Sequence, residues 1–365
     1  MRKKSPRIAS PAAFIGIDGN GYISFGSGQP DLPPPRQIFR SLEDERLFKY
    51  GPIQGEFALR KALAREYPGA KPENFVITNG ASEALDLVFR AIQEMHGNVK
   101  ILLCRPYYYS YPPLVKLAGL TPVYTQLKEG KIDIADLRKK MPRVKAILIN
   151  SPSNPTGRIE AIETLHEIER LSRKHSVYVI SDEVYKDLMY QRQNYLIQGR
   201  HVITVNSFSK TYSMCGLRIG YLWARDPKIV QSTIDIKVHT SMNTNTLAQE
   251  MALRAMDVPQ RFIDRQTLIW KERRDFIVKG LRDLGFDLWT PEGAFYVLPR
   301  INPPVGGSGR VVSELFYRHK VITYDGAWFG APNRIRLSYA LDIKKIKVGL
   351  ARIGNYLKGK ESWLA

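Results

Sequence analysis

"NSFSKTYSMCGLRIGY", Asn206 to Tyr221, sets one lysine, Lys210, between hydroxyl residues and eight positions ahead of an arginine. A lysine is ordinarily a solvated surface charge. This one comes just after "HVITV" (His201 to Val205), a short apolar run of strand type. It therefore stands past the end of a core strand, where open α/β sheets bind their ligands. Outward from this stretch, strand and helix alternate. "NFVIT" (Asn74 to Thr78) reads as a strand, and the "GASEALDLVFRAIQEM" that follows places Leu85, Val88, Phe89 and Ile92 on one helical face at i, i+3, i+4, i+7. Next come "KILLC" (Lys100 to Cys104), a helical stretch near Leu114 to Leu117, and "TPVYTQL". "KAILIN" (Lys145 to Asn150), a helix around Ile162 to His175 and "VYVIS" (Val177 to Ser181) complete the series. Apolar strands in alternation with helices predict an α/β fold whose large domain is a mostly parallel sheet sandwiched by helices. From Ile263 the helical stretches lengthen, with strand-like "GAFYVL" and "RIRLSYA" among them. A smaller α+β domain, shared with the N-terminal segment, is expected there. The division is 1–45 for an N-terminal arm and part of the small domain, 46–262 for the large domain and 263–365 for the small one. "QPDLPPPRQ" near residue 30 and "RINPPVGGSGR" near residue 305 read as loops.

Composition narrows the classes. The 365 residues, 44% hydrophobic and 25% charged, suit a soluble globular chain of two or three domains. Cys104 and Cys215 are the only cysteines, too few for a disulfide framework or a cysteine-rich metal site. Both are expected to fill the core of a cytoplasmic protein without a metal. The start "MRKKSPRIASPAAF" is basic but lacks the apolar centre of a signal peptide, and no stretch reaches the ~20 apolar residues of a membrane span. An unprocessed protein with no membrane partner is expected. The formal charge of +20 is compatible with nucleic-acid binding. Yet the basic residues are spread along the chain, with no helix-turn-helix extension before residue 20, no zinc-finger spacing and no RNP-type motif. A solvated basic surface that attracts anionic substrates is the expected reading, with no nucleic-acid partner.

The chemistry gathers at the strand ends. Ser207, Ser209 and Arg218 can hold a phosphate while the Lys210 amine reacts. One cofactor wants both, pyridoxal phosphate, whose aldehyde bonds a lysine amine. Gly80, Ala81 and Ser82 open a helix after a strand, which makes either an anion site or simple capping. Asp182, after "VYVIS", is either a helix cap or a partner for a protonated pyridine nitrogen. Tyr185, three residues on, can offer a hydroxyl to the ring oxygen.

"NSPSNPTG" (Asn150 to Gly157), "SDEVY" (Ser181 to Tyr185) and "SFSK" with "RIGY" after it make the pattern specific. With them the chain resembles the class I/II pyridoxal-phosphate aminotransferases of the type I fold, from "GQPDLPPP" near residue 30 to "IRLSYA" near residue 336. The resemblance implies an enzyme that moves an amino group between an L-amino acid and a 2-oxo acid by a ping-pong mechanism. It implies that Lys210 bonds the cofactor and serves as general base, that Asp182 partners the pyridine nitrogen, and that Asn154 and Tyr185 donate to the phenolic oxygen. Ala81, Ser82, Ser207, Ser209 and Arg218 match the phosphate positions. Tyr108 in "RPYYYSYP" matches the ring stacked on the cofactor, while Tyr107, Tyr109 and Tyr111 stay open as core residues and the register could slip by one. Arg336 matches the arginine that grips the substrate α-carboxylate, with Gly28 and Asn154 beside it and Arg334 left as a surface charge. Tyr50 in "KYGPIQG" matches a tyrosine sent to the neighbour's phosphate in a homodimer. Aspartate-preferring relatives often place a lysine near the position of Ser82, or borrow an arginine from the neighbouring subunit, to bind the distal carboxylate; Ser82 cannot do that, so strict aspartate specificity is not expected, and alanine, glutamate, aromatic and branched substrates stay open. A histidinol-phosphate aminotransferase, a lyase or a decarboxylase would share the scaffold, and a regulator with an aminotransferase-like domain would need a DNA-binding domain as well.

Overall fold

The computed structural model describes residues 8–14, 17, 21–39, 49–125, 127–128, 131–190, 195–302 and 307–358. Seven strands form the sheet that carries the site: β1 (Phe75–Thr78), β2 (Lys100–Leu103), β3 (Thr121–Tyr124), β4 (Ala146–Asn150), β5 (Tyr178–Asp182), β6 (Val202–Ser207) and β7 (Gly220–Ala224). They lie in the order β1-β7-β6-β5-β4-β2-β3. From β6 to β3 every pairing is parallel, and β7 runs antiparallel to both its neighbours. The central strands are apolar and buried along almost their whole length, as strands covered on both faces must be. The chain moves from β2 outward to β3, then returns past β2 to β4 and continues through β5 to β6. That reversal leaves a crevice at the strand C-termini.

Two strands end later than the sequence suggests. Asp182 is the last residue of β5 and Ser207 the last of β6, so both are held by the ladder rather than by a loop. Strand β7 was not expected at all. Its first residues are the "GY" of the site motif, which hides a strand whose apolar residues are Leu222, Trp223 and Ala224.

Helix α1 (Gly80–His96) buries Leu85, Val88, Phe89 and Ile92 to 0–2% exposure. Each such side chain contributes roughly 1.5–3 kcal/mol relative to an exposed one. The helix packs on the sheet and against α2 (Pro227–Thr240). In the C-terminal part, β8 (Tyr296–Val297), β9 (Tyr324–Asp325) and β10 (Ile335–Ser338) form an antiparallel sheet with β10 at its centre. The N-terminal segment joins that part, since Ile23–Ser24 pairs with Val321–Ile322. One apolar cluster unites Ile8, Phe14 and Phe25 with residues from Trp270 to Tyr356. The boundary expected at residue 45 and the centre of the loop expected near residue 305 lie outside the described residues. Among the described residues no helix is long and apolar enough to cross a membrane.

Candidate active site

The C-terminal ends of β4, β5 and β6 face a cavity of about 380 Å³. Asp182, 5% exposed, is at its floor. Its carboxylate accepts the Tyr111 hydroxyl at 2.6 Å and the Val184 N–H at 3.3 Å. Burial pushes this carboxyl up to about 6, while the Tyr111 and Val184 hydrogen bonds and the Lys210 charge pull it back. One strand over, Asn150 pairs in register with Asp182 and donates its side-chain amide to the Asp182 carbonyl at 2.9 Å. The Asn150 oxygen accepts the Asn154 N–H at 2.8 Å. The sheet register thus fixes the "NPTG" turn against the floor.

Lys210 follows β6 and reaches across the cavity, donating to the Gly28 carbonyl at 2.7 Å. Cys215 is not the core filler that the sequence suggested. It lines the cavity, its sulfur 3.8 Å from the Lys210 amine and its thiol donating to the Ser209 carbonyl at 3.1 Å. Cys104 does pack with apolar neighbours, and burial pushes its thiol up.

At one end of the cavity Ala81 and Ser82 open α1, with Ser207, Ser209 and Arg218 around them. Helix N-termini offer free N–H groups and the positive end of the dipole. Arg218 adopts φ +51 and donates to the Cys215 carbonyl at 2.9 Å. Two glycines make this approach possible. A Cβ at Gly220 would lie 2.7 Å from the Gly80 carbonyl carbon and 2.9 Å from the Ala81 nitrogen, and one at Gly80 (φ +75) would lie 2.5 Å from Arg218 Nη2. The start of β7 and the start of α1 are therefore in backbone contact, which only glycine allows.

At the other end stands Arg336 on β10, 2% exposed. It donates to Asn154 Oδ1 at 3.0 Å and to the Gly26 carbonyl at 2.6 Å. The rings of Tyr296, Tyr324 and Phe329 surround its guanidinium at 4.5, 4.5 and 4.9 Å. Its Nε is buried without a partner, and among the described residues no carboxylate pairs with it. An orphaned guanidinium donor in an aromatic box suits a bound carboxylate. Tyr185 shares a 2.9 Å hydrogen bond with Tyr296, and burial holds its hydroxyl well above the ordinary range.

Twelve of the thirteen expected site residues line this one cavity: Gly28, Ala81, Ser82, Tyr108, Asn154, Asp182, Tyr185, Ser207, Ser209, Lys210, Arg218 and Arg336. Tyr50 does not; it is 85% exposed on the surface. Arg334 is not a surface charge. Its guanidinium lies 3.7 Å from the centre of the Trp289 ring and donates to the Leu298 carbonyl at 2.8 Å. Tyr109 and Tyr111 line the cavity beside Tyr108, so neither is merely core. Sequence reasoning missed Tyr111 as the support of Asp182, and it missed Tyr296, Tyr324 and Gln29 altogether. The run of tyrosines after "RP" was a usable signal for the first; the others depend on contacts between distant segments.

The family model for aminotransferase class I and II matches residues 20–353. The chain belongs to that family. This aminotransferase is 32% identical over 388 residues to the aspartate/prephenate aminotransferase of Thermus thermophilus, covering 98% of this chain and 99% of the relative. The structure of the aspartate aminotransferase of Thermus thermophilus with maleate superposes with a TM-score of 0.87 at 30% identity, covering 92% and 91% of the two chains. That of the aromatic aminotransferase of Pyrococcus horikoshii superposes with a TM-score of 0.89 at 28% identity, covering 98% and 100%. The aminotransferase depends on pyridoxal phosphate, acts on amino acids and 2-oxo acids, and follows the ping-pong scheme general to its family. Its cavity fits the cofactor. A lysine amine, a buried carboxylate and a glycine-tight helix N-terminus face one space.

Proposed function

We propose that this aminotransferase favours amino donors with aromatic side chains, and that the cavity residues divide the work between cofactor and substrate. When bound, pyridoxal phosphate supplies an aldehyde for the amine and a ring that stabilises charge at the substrate Cα. Lys210 would hold the cofactor's aldehyde, and its amine would serve as the base that takes the proton from the substrate Cα. Asp182 would partner the ring nitrogen, and a cation there would favour its ionised form. Tyr185 and the Asn154 amide would donate to the phenolic oxygen; the Asn154 carbonyl oxygen is already taken by Arg336. Ala81, Ser82, Ser207, Ser209 and Arg218 would hold the phosphate, and Tyr108 would cover the ring. Arg336, with the Gly28 backbone, grips the α-carboxylate.

One observation carries the substrate reading. The cations lining the cavity from the described residues are Lys210, Arg218 and Arg336, and each has a task in this scheme. Ser82 brings no charge, so within one protomer no described cation lining the cavity remains for a second carboxylate on the side chain. What remains includes Tyr109 and Tyr324 with the neutral Gln29 and Ser27. The likeness to an aromatic aminotransferase supports the same choice. A panel of amino donors against 2-oxoglutarate and pyruvate tests it. Phenylalanine or tyrosine should exceed aspartate in kcat/KM by about tenfold or more, and aspartate at the head of the panel would reject it.

The working unit in this proposal is a cytoplasmic homodimer with shared sites, the chain dividing near residues 45 and 262. Exposed Phe39, Tyr50 and Phe57, at 60%, 85% and 53%, support an interface, and free Cys104 and Cys215 suit a reducing compartment. Tyr50→Asp mixed after denaturation with Lys210→Ala checks the crossing. If Tyr50 serves the partner's site, random reassembly restores roughly a quarter of all sites. Mixed dimers with no regained activity would reject it.

A further inference from the structure

Lys237, on α2, has a side chain that is 0% exposed and does not line the cavity. Its amine lies 3.1 and 3.2 Å from the two carboxylate oxygens of Glu83 and 2.9 Å from the Ser241 hydroxyl. Glu83 is the fourth residue of α1. It turns back over the helix start, accepting the Asn79 backbone N–H and, at 3.0 Å, the Asn79 side-chain amide. The turn from β1 into α1 is thereby fastened by a side chain from inside the helix. A carboxylate in a first turn suits the helix dipole, but it also competes with any anion bound at the same end. Like charges oppose one another over longer range where water is partly excluded. A buried lysine is costly unless it is paired, and burial lowers the proton affinity of this one while Glu83 raises it again.

We propose that Glu83 and Lys237 are positioning residues for the cofactor phosphate: Glu83 fixes the turn that presents Ala81 and Ser82, and Lys237 cancels its charge so that the helix start stays open to a dianion. The inference rests on the reading of this end of the cavity as the phosphate end. Pyridoxal phosphate and pyridoxal, which lacks the phosphate, titrated into the full chain freed of cofactor, test both. Lys237→Met should weaken pyridoxal phosphate by about tenfold or more and leave pyridoxal within about threefold. Glu83→Gln, which keeps an oxygen for Asn79, should tighten pyridoxal phosphate by about threefold, and the double variant should return to within about twofold of the parent. A general packing defect would instead weaken both ligands alike and would not be rescued, and that result overturns the proposal. If Lys237→Met alone does not fold, the double variant against Glu83→Gln decides; equal affinities overturn the proposal. A parent chain that binds pyridoxal and pyridoxal phosphate equally would take down the phosphate reading itself, and this inference with it.

Discussion

The two ends of the cavity are built by different means. The end at Ala81, Ser82 and Arg218 is made of main chain: two short stretches, 80–82 and 207–218, meet through glycines at 80 and 220 whose replacement would bring atoms to 2.5–2.7 Å. The end at Arg336 is made of side chains, an arginine ringed by Tyr296, Tyr324 and Phe329 and tied to Gly26 across 310 positions of sequence. Main-chain construction fixes geometry but tolerates no added atom. Side-chain construction tolerates change in shape but depends on the planar fork of one residue.

Lys210 touches both ends, its backbone beside Ser209 and its amine on the Gly28 carbonyl, so its removal should have the largest effect. Lys210→Ala should lower kcat by about 10⁴-fold or more and abolish a visible absorbance band that borohydride bleaches in the parent, while cofactor still binds through the phosphate end. Turnover at the parent rate would refute the division of roles. Asp182→Asn keeps shape and removes charge, and a fall in kcat of about 10²–10³-fold is expected; a mild effect would show that another group tunes the ring. At the side-chain end, Arg336→Lys should cost about 10²-fold in kcat/KM for every amino acid alike, because a point charge replaces the fork. Loss confined to one donor would mean that Arg336 reads the side chain instead. At the main-chain end, Gly220→Ala should destabilise the protein by about 1–3 kcal/mol and weaken pyridoxal phosphate more than pyridoxal, seen by thermal unfolding and titration. Equal weakening would blur the distinction between the ends.

The smallest effect concerns pH in the cofactor-free protein. Burial holds Asp182 near 6 and the adjacent Glu183 near 7, above ordinary values of 3.8 and 4.5. The folded chain thus keeps protons that the unfolded chain releases, a stabilisation present in full below about pH 4 and lost as pH rises through about 6 and then 7. Asp182→Asn should make the decline in Tm between about pH 4 and 6 shallower than in the parent. An unchanged slope would show that Asp182 is ionised throughout.

The same contrast explains what was legible. The phosphate end and the floor lie in motifs of a few consecutive residues, so "SDEVY", "NPTG" and "SFSK" exposed Asp182, Asn154 and Lys210 directly. Parallel strands with apolar runs gave the large sheet for the same reason, while β7 stayed hidden because glycine and a site motif occupy its start. Tyr296 and Tyr324 carry no local signal; they matter only because β8, β9 and β10 bring them to Arg336. Cys215 and Arg334 were misread because their surroundings are set by tertiary contacts rather than by sequence neighbours.

Gly26 and Gly28 give the tethering of Arg336 and Lys210 an order in time. The two carbonyl acceptors are made before their donors, which follow 182 and 310 positions later. Contacts of such separation must wait for the chain between them. The sheet from β1 to β7 has all of its strands by Ala224, long before Arg336 exists. A nascent chain that has completed β7 therefore holds Lys210 and the cavity end at Ala81, Ser82 and Arg218 but not yet the end at Arg336. Its cavity gains its second end only when β10 has been made.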